Sequence, residues 1–299
     1  MSGTTDPTGN PFPKDPPKRC LPLSPTGRRY GRYHENPNHP ARVLLRAAPP
    51  TGVILPPSMD LSPWMGPIRD QGEEGSCTGQ MGAAMRDLLY RKQYAYEKQR
   101  TILSSEYKAS AAFVYKCNLI ADGLLGTDAG STVHQTAVTL NQKGAALESE
   151  EPYVDGDYST PPTSLQYNWG SMFCIGAYHY LPNLLDMKAC LASGYSFGFG
   201  IDVYESFEGD WKKPGFMPMP NLNREQMLGG HAQHVIGYDD AIEFPDGCKG
   251  GLYVQNSWGS GWGINAPGRT DGGTYWIPYK FVMEGMASDA WVVHLGKPW

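Results

Sequence analysis

The sequence predicts an α+β protein with two lobes, because helical segments come first and strand-like segments follow. Helical spacing and cap residues precede residue 165, whereas short strand-like runs separated by Gly, Pro and Asn turns follow it. Helices grouped before strands favour two packed lobes with a cleft between them. With 299 residues and 40% apolar content, the chain is long enough to bury the core that such a fold needs.

A Pro-rich, basic arm precedes the lobes and is expected to span residues 1–55. Half of the 26 prolines fall in the first 57 residues, and residues 1–46 hold eight Lys/Arg against three Asp/Glu. Proline at this density excludes a long helix or a central strand, so we expect an extended arm that packs along its own body or a neighbouring chain. Its spread charges show no amphipathic pattern, so a protein partner is favoured and no nucleic acid is expected.

The first lobe, expected over residues 56–165, is predicted to be mainly helical. Its first helix runs from Ser76 to about Arg100, because apolar residues recur there on one face. These residues are Met81, Met85, Leu88 and Leu89.

Two further helices are predicted in this lobe. The segment LSSEYKASAAFVYKC indicates a helix capped by Ser104 or Ser105, and STVHQTAVTLNQKG indicates one that ends at Gly144. The second lobe, expected over residues 166–299, is predicted to be antiparallel sheet, with closure into a barrel left open. Its strand-like runs are SMFCIGAYHYL, YSFGFGIDVY, HAQHVIGYDD, GGLYVQNSW, GTYWIPYKFV and DAWVVHL.

Cys77 is the first candidate for chemistry, because it lies where the Gly-rich turn DQGEEGSC meets the start of the first helix. The positive end of a helix dipole and its unpaired amides favour a thiolate at that position. A lone cysteine is more commonly a small buried residue, so this feature alone does not establish catalysis.

Two further segments, GGHAQHVIGYDD and GGLYVQNSWGSGWG, add to this candidate. Together with DQGEEGSCTG they resemble papain-like cysteine peptidases, the peptidase C1 or cathepsin-like family. That family has a glutamine six positions before its nucleophile, and Gln71 and Cys77 keep this offset. Its histidine opens an H-A-x-x-x-x-G-Y strand, which begins here at His231, and its asparagine opens N-S-W-G-x-x-W-G, which begins here at Asn256.

The resemblance covers about residues 55–295. It implies a papain-like two-lobe fold, with a helical N-terminal lobe, an antiparallel β-barrel-like C-terminal lobe and the active-site cleft between them. The implied function is that of a cysteine-type endopeptidase acting on a peptide or protein substrate, without a metal or a cofactor.

The resemblance also implies a role for each matched residue. Cys77 is the nucleophile, His231 stabilises the thiolate and protonates the leaving amine, and Asn256 orients the imidazole. The oxyanion hole is formed by the side-chain amide of Gln71 and the backbone N–H of Cys77. Trp258 is expected to shield the imidazole from water or simply to pack in the core.

Two glycines and a choice between histidines complete the expected site. Gly130 and Gly230 are expected in the walls of the substrate cleft. Side chains alternate along a strand, so His231 and His234 point to opposite faces and only one of them can meet the thiol. The family pattern selects His231, and His234 is then expected in the core or at an interface.

The sequence departs from the family pattern at two positions, one in and one directly after the turn DQGEEGSC. We call this turn, residues 70–77, the nucleophile loop. Glu74 replaces a disulfide-forming cysteine, which agrees with reduced thiols, and Thr78 replaces an aromatic residue that packs behind the nucleophile. The arm lacks the helical, charge-rich pattern of a typical inhibitory propeptide. Inhibition by a folded prodomain is therefore not expected, whereas the arm is free to cross the cleft or to act as a tether.

A second function from another class stays open. The same fold can serve as a structural or interaction component of a larger assembly, such as a viral particle, anchored by the basic arm. A cell-wall amidase with a Cys–His pair is disfavoured, because it does not need the N-S-W-G-x-x-W-G segment. Neither an 18-residue apolar run nor a basic-then-apolar N-terminus is present, so we expect a soluble protein without an export signal, in the cytoplasm or within an assembly.

Overall fold

The computed structural model describes residues 23–36, 38–40, 54–98 and 107–295. Their centre is an antiparallel sheet of seven strands, ordered β2-β7-β3-β4-β5-β6, with the short β1 paired to β4. The strands are β1 (Ser58–Asp60), β2 (Ala177–Tyr180), β3 (Phe197–Tyr204), β4 (Met227–Glu243), β5 (Lys249–Gln255), β6 (Thr274–Pro278) and β7 (Ala287–His294).

Helices pack against this sheet and against one another. They are α1 (Cys77–Lys98), α2 (Ala111–Ala121), α3 (Val133–Gln142), α4 (Ser164–Ser171), α5 (Leu184–Ala192) and α6 (Tyr279–Met283). The longest helix, α1, contacts α2 and α3 on one side and the sheet strands β3 and β4 on the other. The α+β fold class is confirmed, whereas the sheet is open and does not close into a barrel, because β2 and β6 lie at its two ends.

The apolar face predicted for α1 is confirmed, since its four residues are all buried. They are Met81, Met85, Leu88 and Leu89. Burial of four large apolar side chains supplies about 1.5–3 kcal/mol each, so this face holds the helix to the sheet. Packing along the whole of α1 therefore fixes the position at which this helix begins, at the end of the nucleophile loop.

The second predicted helix begins later than its sequence signals indicated. Ser104 and Ser105 lie outside the described residues, and residues 107–110 are not helical. The helix begins after Ser110, whose side chain accepts the N–H of Phe113. The third helix is confirmed, with Thr132 as its cap and Gly144 in the left-handed region after its end.

The second half of the chain holds helices that the sequence analysis missed. Helix α4 begins at a capping box in which Thr163 and Gln166 exchange hydrogen bonds, and α5 is capped by Asn183. Among the described residues, no helix is long and apolar enough to cross a membrane. The division of the chain near residues 55 and 165 stays a prediction.

Candidate active site

The nucleophile loop carries Cys77 to the first position of α1, where the thiol is fully buried. Both carboxylate oxygens of Asp128 accept the N–H of Gly75 at 3.0 Å. A buried ion pair between Arg69 and Asp87, 2.6 Å long, ties the start of the loop to the helix. The sulfur accepts the backbone N–H of Ala232 on β4 at 3.4 Å, so the helix and the sheet meet at this atom.

His231 lies within β4 and Asn256 directly follows β5, the strand paired with β4, so the two side chains meet. Nε2 of His231 donates to Oδ1 of Asn256 at 2.9 Å, and the same oxygen accepts the N–H of Ser257 at 2.8 Å. The backbone N–H of Ser257 can only donate, so the Asn256 atom that it contacts is oxygen. This oxygen accepts from the ring, so the neutral imidazole carries its proton on Nε2 and leaves Nδ1 as an acceptor. The ring of Trp258 stacks on the imidazole, with centroids 5.3 Å apart.

The thiol and the imidazole are both uncharged in this arrangement. Burial raises the pKa of Cys77 to about 11 and lowers the pKa of His231 to about 4. Within the described residues, no hydrogen bond joins the two side chains, and Nδ1 of His231 is buried without a hydrogen-bond partner. An ion pair between them therefore requires a change in their surroundings.

His234 is a core residue, as expected for the second histidine of β4. Its side chain is buried, and its Nδ1 donates to Oε1 of Gln255 on β5 at 2.9 Å. Burial lowers its pKa to about 4, so the ring is neutral.

Gln71 lies in the loop that precedes Cys77 and is held in place by Ser257. The Gln71 side chain donates to the carbonyl of Glu74 at 2.9 Å, and its oxygen accepts the hydroxyl of Ser257 at 2.7 Å. The Gln71 backbone N–H also donates to the carbonyl of Ser257 at 2.9 Å. The sequence analysis missed this positioning role, although Ser257 is the second residue of the N-S-W-G motif.

Glu74 forms a polar connection where the resemblance implies a disulfide. Its buried carboxyl group accepts the N–H of Gly156 at 2.9 Å, and Asp155 accepts the N–H of Glu73 and of Glu74. Burial and the neighbouring Asp128 raise the pKa of Glu74 to about 8. Thr78, the other departure from the family pattern, is buried in the first turn of α1.

Replacing Glu74 with glutamine is expected to make the protein relatively more stable as pH rises. A carboxyl group with a raised pKa stabilises the fold fully below its unfolded pKa, and this stability is lost as pH rises to about 8. The neutral amide keeps an acceptor for Gly156 and does not ionise. We expect the variant to gain about 2 kcal/mol or more over the parent between pH 4.5 and 8, measured by urea unfolding. An unchanged difference between the two proteins across this range would contradict the burial argument.

The described part of the arm crosses the cleft directly over the thiol. Gly31 and Arg32 form parallel bridges with Gly230 and Ser131 on opposite walls. The N–H of Arg32 donates to the carbonyl of Gly230 at 2.9 Å, and Ser131 donates to the carbonyl of Gly31 at 2.8 Å. The backbone of Gly31 is one of the groups that lower the pKa of the Cys77 thiol. A Cβ atom on Gly31 would collide with the carbonyl of Gly75, so only glycine fits there.

The basic residues of the arm pair with acidic residues around the cleft. Arg28 lies 2.9 Å from Asp70, and Arg29 lies 3.6 Å from Asp128. The carbonyl oxygen of Arg29 comes within 3.4 Å of Nε2 of Gln71. The arm thus packs on its own body by charge complementarity as well as by backbone hydrogen bonds. Gly130 lies against Gly31, so both predicted cleft glycines flank the arm.

One group of metal-type ligands occurs in the described part of the chain. The ligand atoms of Glu35, His39 and His134 lie within 4.8 Å of one another. Nδ1 of His134 already lies 2.5 Å from Oε1 of Glu35. This group lies between the arm and α3.

Comparisons with known proteins agree with this architecture. The family model described as papain family cysteine protease matches residues 55–274. An uncharacterized peptidase C1-like protein of Acanthamoeba polyphaga mimivirus is 28% identical over 235 residues, which are 75% of this chain and 68% of that protein.

Solved structures show the same fold. Xylellain, a cysteine protease from Xylella fastidiosa, is 26% identical with a TM-score of 0.73, over 90% of this chain and 96% of that one. Procathepsin B from Trypanosoma congolense is 18% identical with a TM-score of 0.63, over 90% and 87% of the two chains.

Proposed function

We propose that this chain, which belongs to the papain family of cysteine proteases, is a cysteine endopeptidase that uses Cys77, His231 and Asn256. The observation that carries the proposal is the path of the arm, an extended polypeptide hydrogen-bonded to both cleft walls beside a helix-borne thiol. The arm continues on both sides of the sulfur. An internal stretch of a substrate therefore fits the same path, which favours an endopeptidase.

The proposed reaction begins once the arm has left the cleft. Water then reaches the thiol and the imidazole, so the desolvation that keeps both neutral falls away. The helix N-terminus and the protonated imidazole stabilise the thiolate, which attacks the peptide carbonyl carbon. The imidazole then gives its proton to the leaving amine, and water hydrolyses the thioester. Asn256 keeps the ring oriented through its hydrogen bond to Nε2.

Gln71 is proposed to stabilise the oxyanion together with the backbone N–H of Cys77. The carbonyl oxygen of Arg29, 3.4 Å from the amide nitrogen of Gln71, supports this role because it is a peptide carbonyl beside the proposed donor. Donors fixed in advance stabilise the tetrahedral intermediate without reorganisation. Ser257 is a positioning residue, since it holds the amide oxygen of Gln71.

A structural role remains the second candidate, because the arm covers the thiol in this arrangement. A scaffold protein would not hydrolyse peptides even after the arm is displaced. The discriminating protein is the full chain with Gly31→Leu and Arg32→Ala, named here the arm-release chain. Leucine at position 31 collides with the loop carbonyl of Gly75, and Arg32→Ala removes the ion pairs of the arm with Asp202 and Asp289.

In the arm-release chain, Gln71→Ala is expected to lower kcat for peptide hydrolysis about 100-fold, because one oxyanion donor is lost. Ser257→Ala is expected to lower kcat less, by about 10-fold, since the amide is kept but is no longer held. Steady-state kinetics with a quenched fluorescent peptide measure both effects. A change confined to KM would show that Gln71 binds the ground state and does not stabilise the oxyanion.

A further inference from the structure

An acidic pocket lies beside the thiol and is filled by the side chain of Arg32. This side chain has no exposed surface, although it belongs to the arm. One terminal nitrogen lies 2.6 Å from the Asp289 carboxylate and 2.5 Å from the Ser288 hydroxyl, and the other lies 3.4 Å from Asp202. The guanidinium thus has partners on two adjacent strands, β3 and β7. We call Asp202, Ser288 and Asp289 the acidic pocket.

Two glycines of the body leave room for a long side chain. A Cβ atom on Gly200 would overlap the guanidinium, and one on Gly230 would crowd the carbonyl oxygen and Cδ of Arg32. Gly200 pairs with Ser288 across the sheet, so the open position and the hydroxyl lie opposite each other. The shape and the charge of the pocket therefore both come from the body and not from the arm.

The carboxylates of the acidic pocket lose the arm's cationic partner when the arm leaves. Asp289 is 1% exposed, and a buried carboxylate that loses its cation is strongly destabilised. The arm groups close to the two carboxylates include the ring of His34, 3.0 Å from Asp202, and the backbone N–H of Glu35, 3.1 Å from Asp289. Both depart together with Arg32. A cationic side chain on the incoming peptide replaces what was lost.

Asp289 also stands in a backbone conformation that most residues avoid. Its φ of 56° lies in the left-handed region, and it is the only non-glycine residue in the described part of the chain with a positive φ. Such conformations are energetically unfavourable for non-glycine residues and are concentrated at functional sites. The conformation turns a carboxylate toward the guanidinium, so the strain serves the ion pair.

The acidic pocket is adjacent to the proposed reaction centre. Gly31, the residue before Arg32, packs against the backbone of Gly75, two residues before Cys77, and the N–H of Arg32 donates to Gly230, the residue before His231. We propose that the acidic pocket binds an arginine side chain of peptide substrates near the cleaved bond. This inference rests on the proposed function and names the class of peptide that it acts on. Arginine is preferred over lysine, because a planar fork with several donors matches acceptors on two strands, whereas an ammonium group is a single point charge.

Binding of a short peptide tests the proposal without any need for hydrolysis. The probe is the blocked peptide RRYGRYHE, which copies residues 28–35, compared with the same peptide carrying citrulline in place of the fifth residue. Citrulline keeps the shape of arginine and removes its charge. The protein is the full arm-release chain with Cys77→Ala, and calorimetry measures the two affinities. We expect the citrulline peptide to bind about 10- to 100-fold more weakly.

Variants assign this discrimination to the acidic pocket. Asp289→Asn is expected to reduce the arginine-to-citrulline ratio at least about 10-fold, and Asp202→Asn to reduce it in the same direction but less. Asp246→Asn, in the exposed turn between β4 and β5, is the matched control and should leave the ratio unchanged. If Asp289→Asn does not fold, the Asp202 variant and the citrulline comparison still decide the question.

The outcomes separate this proposal from the proposed function. Equal affinity for the two peptides, or a ratio that survives both pocket variants, overturns the arginine pocket whether or not the protein hydrolyses peptides. Discrimination in binding without hydrolysis of any arginine peptide by the arm-release chain upholds the pocket and contradicts the endopeptidase. Hydrolysis with an arginine preference that Asp289→Asn abolishes supports both.

Discussion

Replacing Cys77 with alanine in the arm-release chain is expected to abolish peptide hydrolysis, lowering kcat by about 10⁴-fold or more. The thiol supplies the only atom that forms the covalent intermediate in the proposed reaction, and alanine has no nucleophile to take its place. The sulfur is buried but small. Its loss therefore destabilises the fold by only about 1 kcal/mol, a fall in melting temperature of roughly 2–4 °C.

The matched control is Cys117→Ala, which removes another buried thiol from the neighbouring helix α2. Hydrolysis should remain close to that of the arm-release chain in this variant. Scanning calorimetry and hydrolysis of a quenched fluorescent peptide are measured on the same samples, so lost activity is separated from lost folding. Hydrolysis by the Cys77 variant at the rate of the Cys117 variant would remove Cys77 from the mechanism.

Displacing the arm is expected to speed alkylation of Cys77 by iodoacetamide at pH 7 at least about 100-fold. In the closed arrangement the thiol has no exposed surface and burial raises its pKa to about 11, so very little thiolate is present. A leucine side chain at position 31 would collide with the carbonyl of Gly75, and alanine at position 32 removes the guanidinium from the acidic pocket. The released thiol is solvated and ionises more readily.

Site-resolved mass spectrometry measures this rate against an internal standard. Cys248, in the turn between β4 and β5 and distant from the arm in sequence, should react equally in both chains. The matched arm control is Asn38→Ala, an exposed position in the described part of the arm. Equal labelling of Cys77 in the parent, the control and the arm-release chain would mean that the arm does not protect the thiol.

Short motifs were enough to predict that the segments carrying Cys77, His231 and Asn256 lie near one another, because strand pairing fixes where such motifs lie. His231 is on β4, and Asn256 directly follows β5, the strand paired with β4. The helix that begins at Cys77 packs on β4 through an apolar face that the sequence also predicted. The identities of these elements were therefore sufficient to place the candidate residues in one neighbourhood.

The start of the second helix was not predictable from caps alone. Three serines offer caps in that segment, and tertiary contacts select Ser110. Asp87 of α1 accepts the N–H of Ala109 at 2.7 Å, and Arg91 donates to the carbonyl of Tyr107 at 2.9 Å. These bonds hold residues 107–110 extended, so the helix begins only after them.

The path of the arm and the acidic pocket also depend on contacts that are remote in sequence. Composition predicted an extended basic arm, but its direction is set by acidic residues scattered along the body, such as Asp70 and Asp128. Asp202 and Asp289 are far apart in the chain and meet only because β3 pairs with β7. A single sequence carries no local pattern that marks such a pair.

The rate of Cys77 alkylation as a function of pH, measured in the arm-release chain with and without His231, tests whether His231 stabilises the thiolate of Cys77. The account expects fast alkylation down to about pH 6 with His231 present, because an imidazolium lowers the thiol pKa. His231→Gln should return the profile to that of an ordinary thiol, with a pKa of about 8.5, whereas the matched His234→Gln should not. An ordinary thiol profile in the arm-release chain with His231 intact would contradict the account.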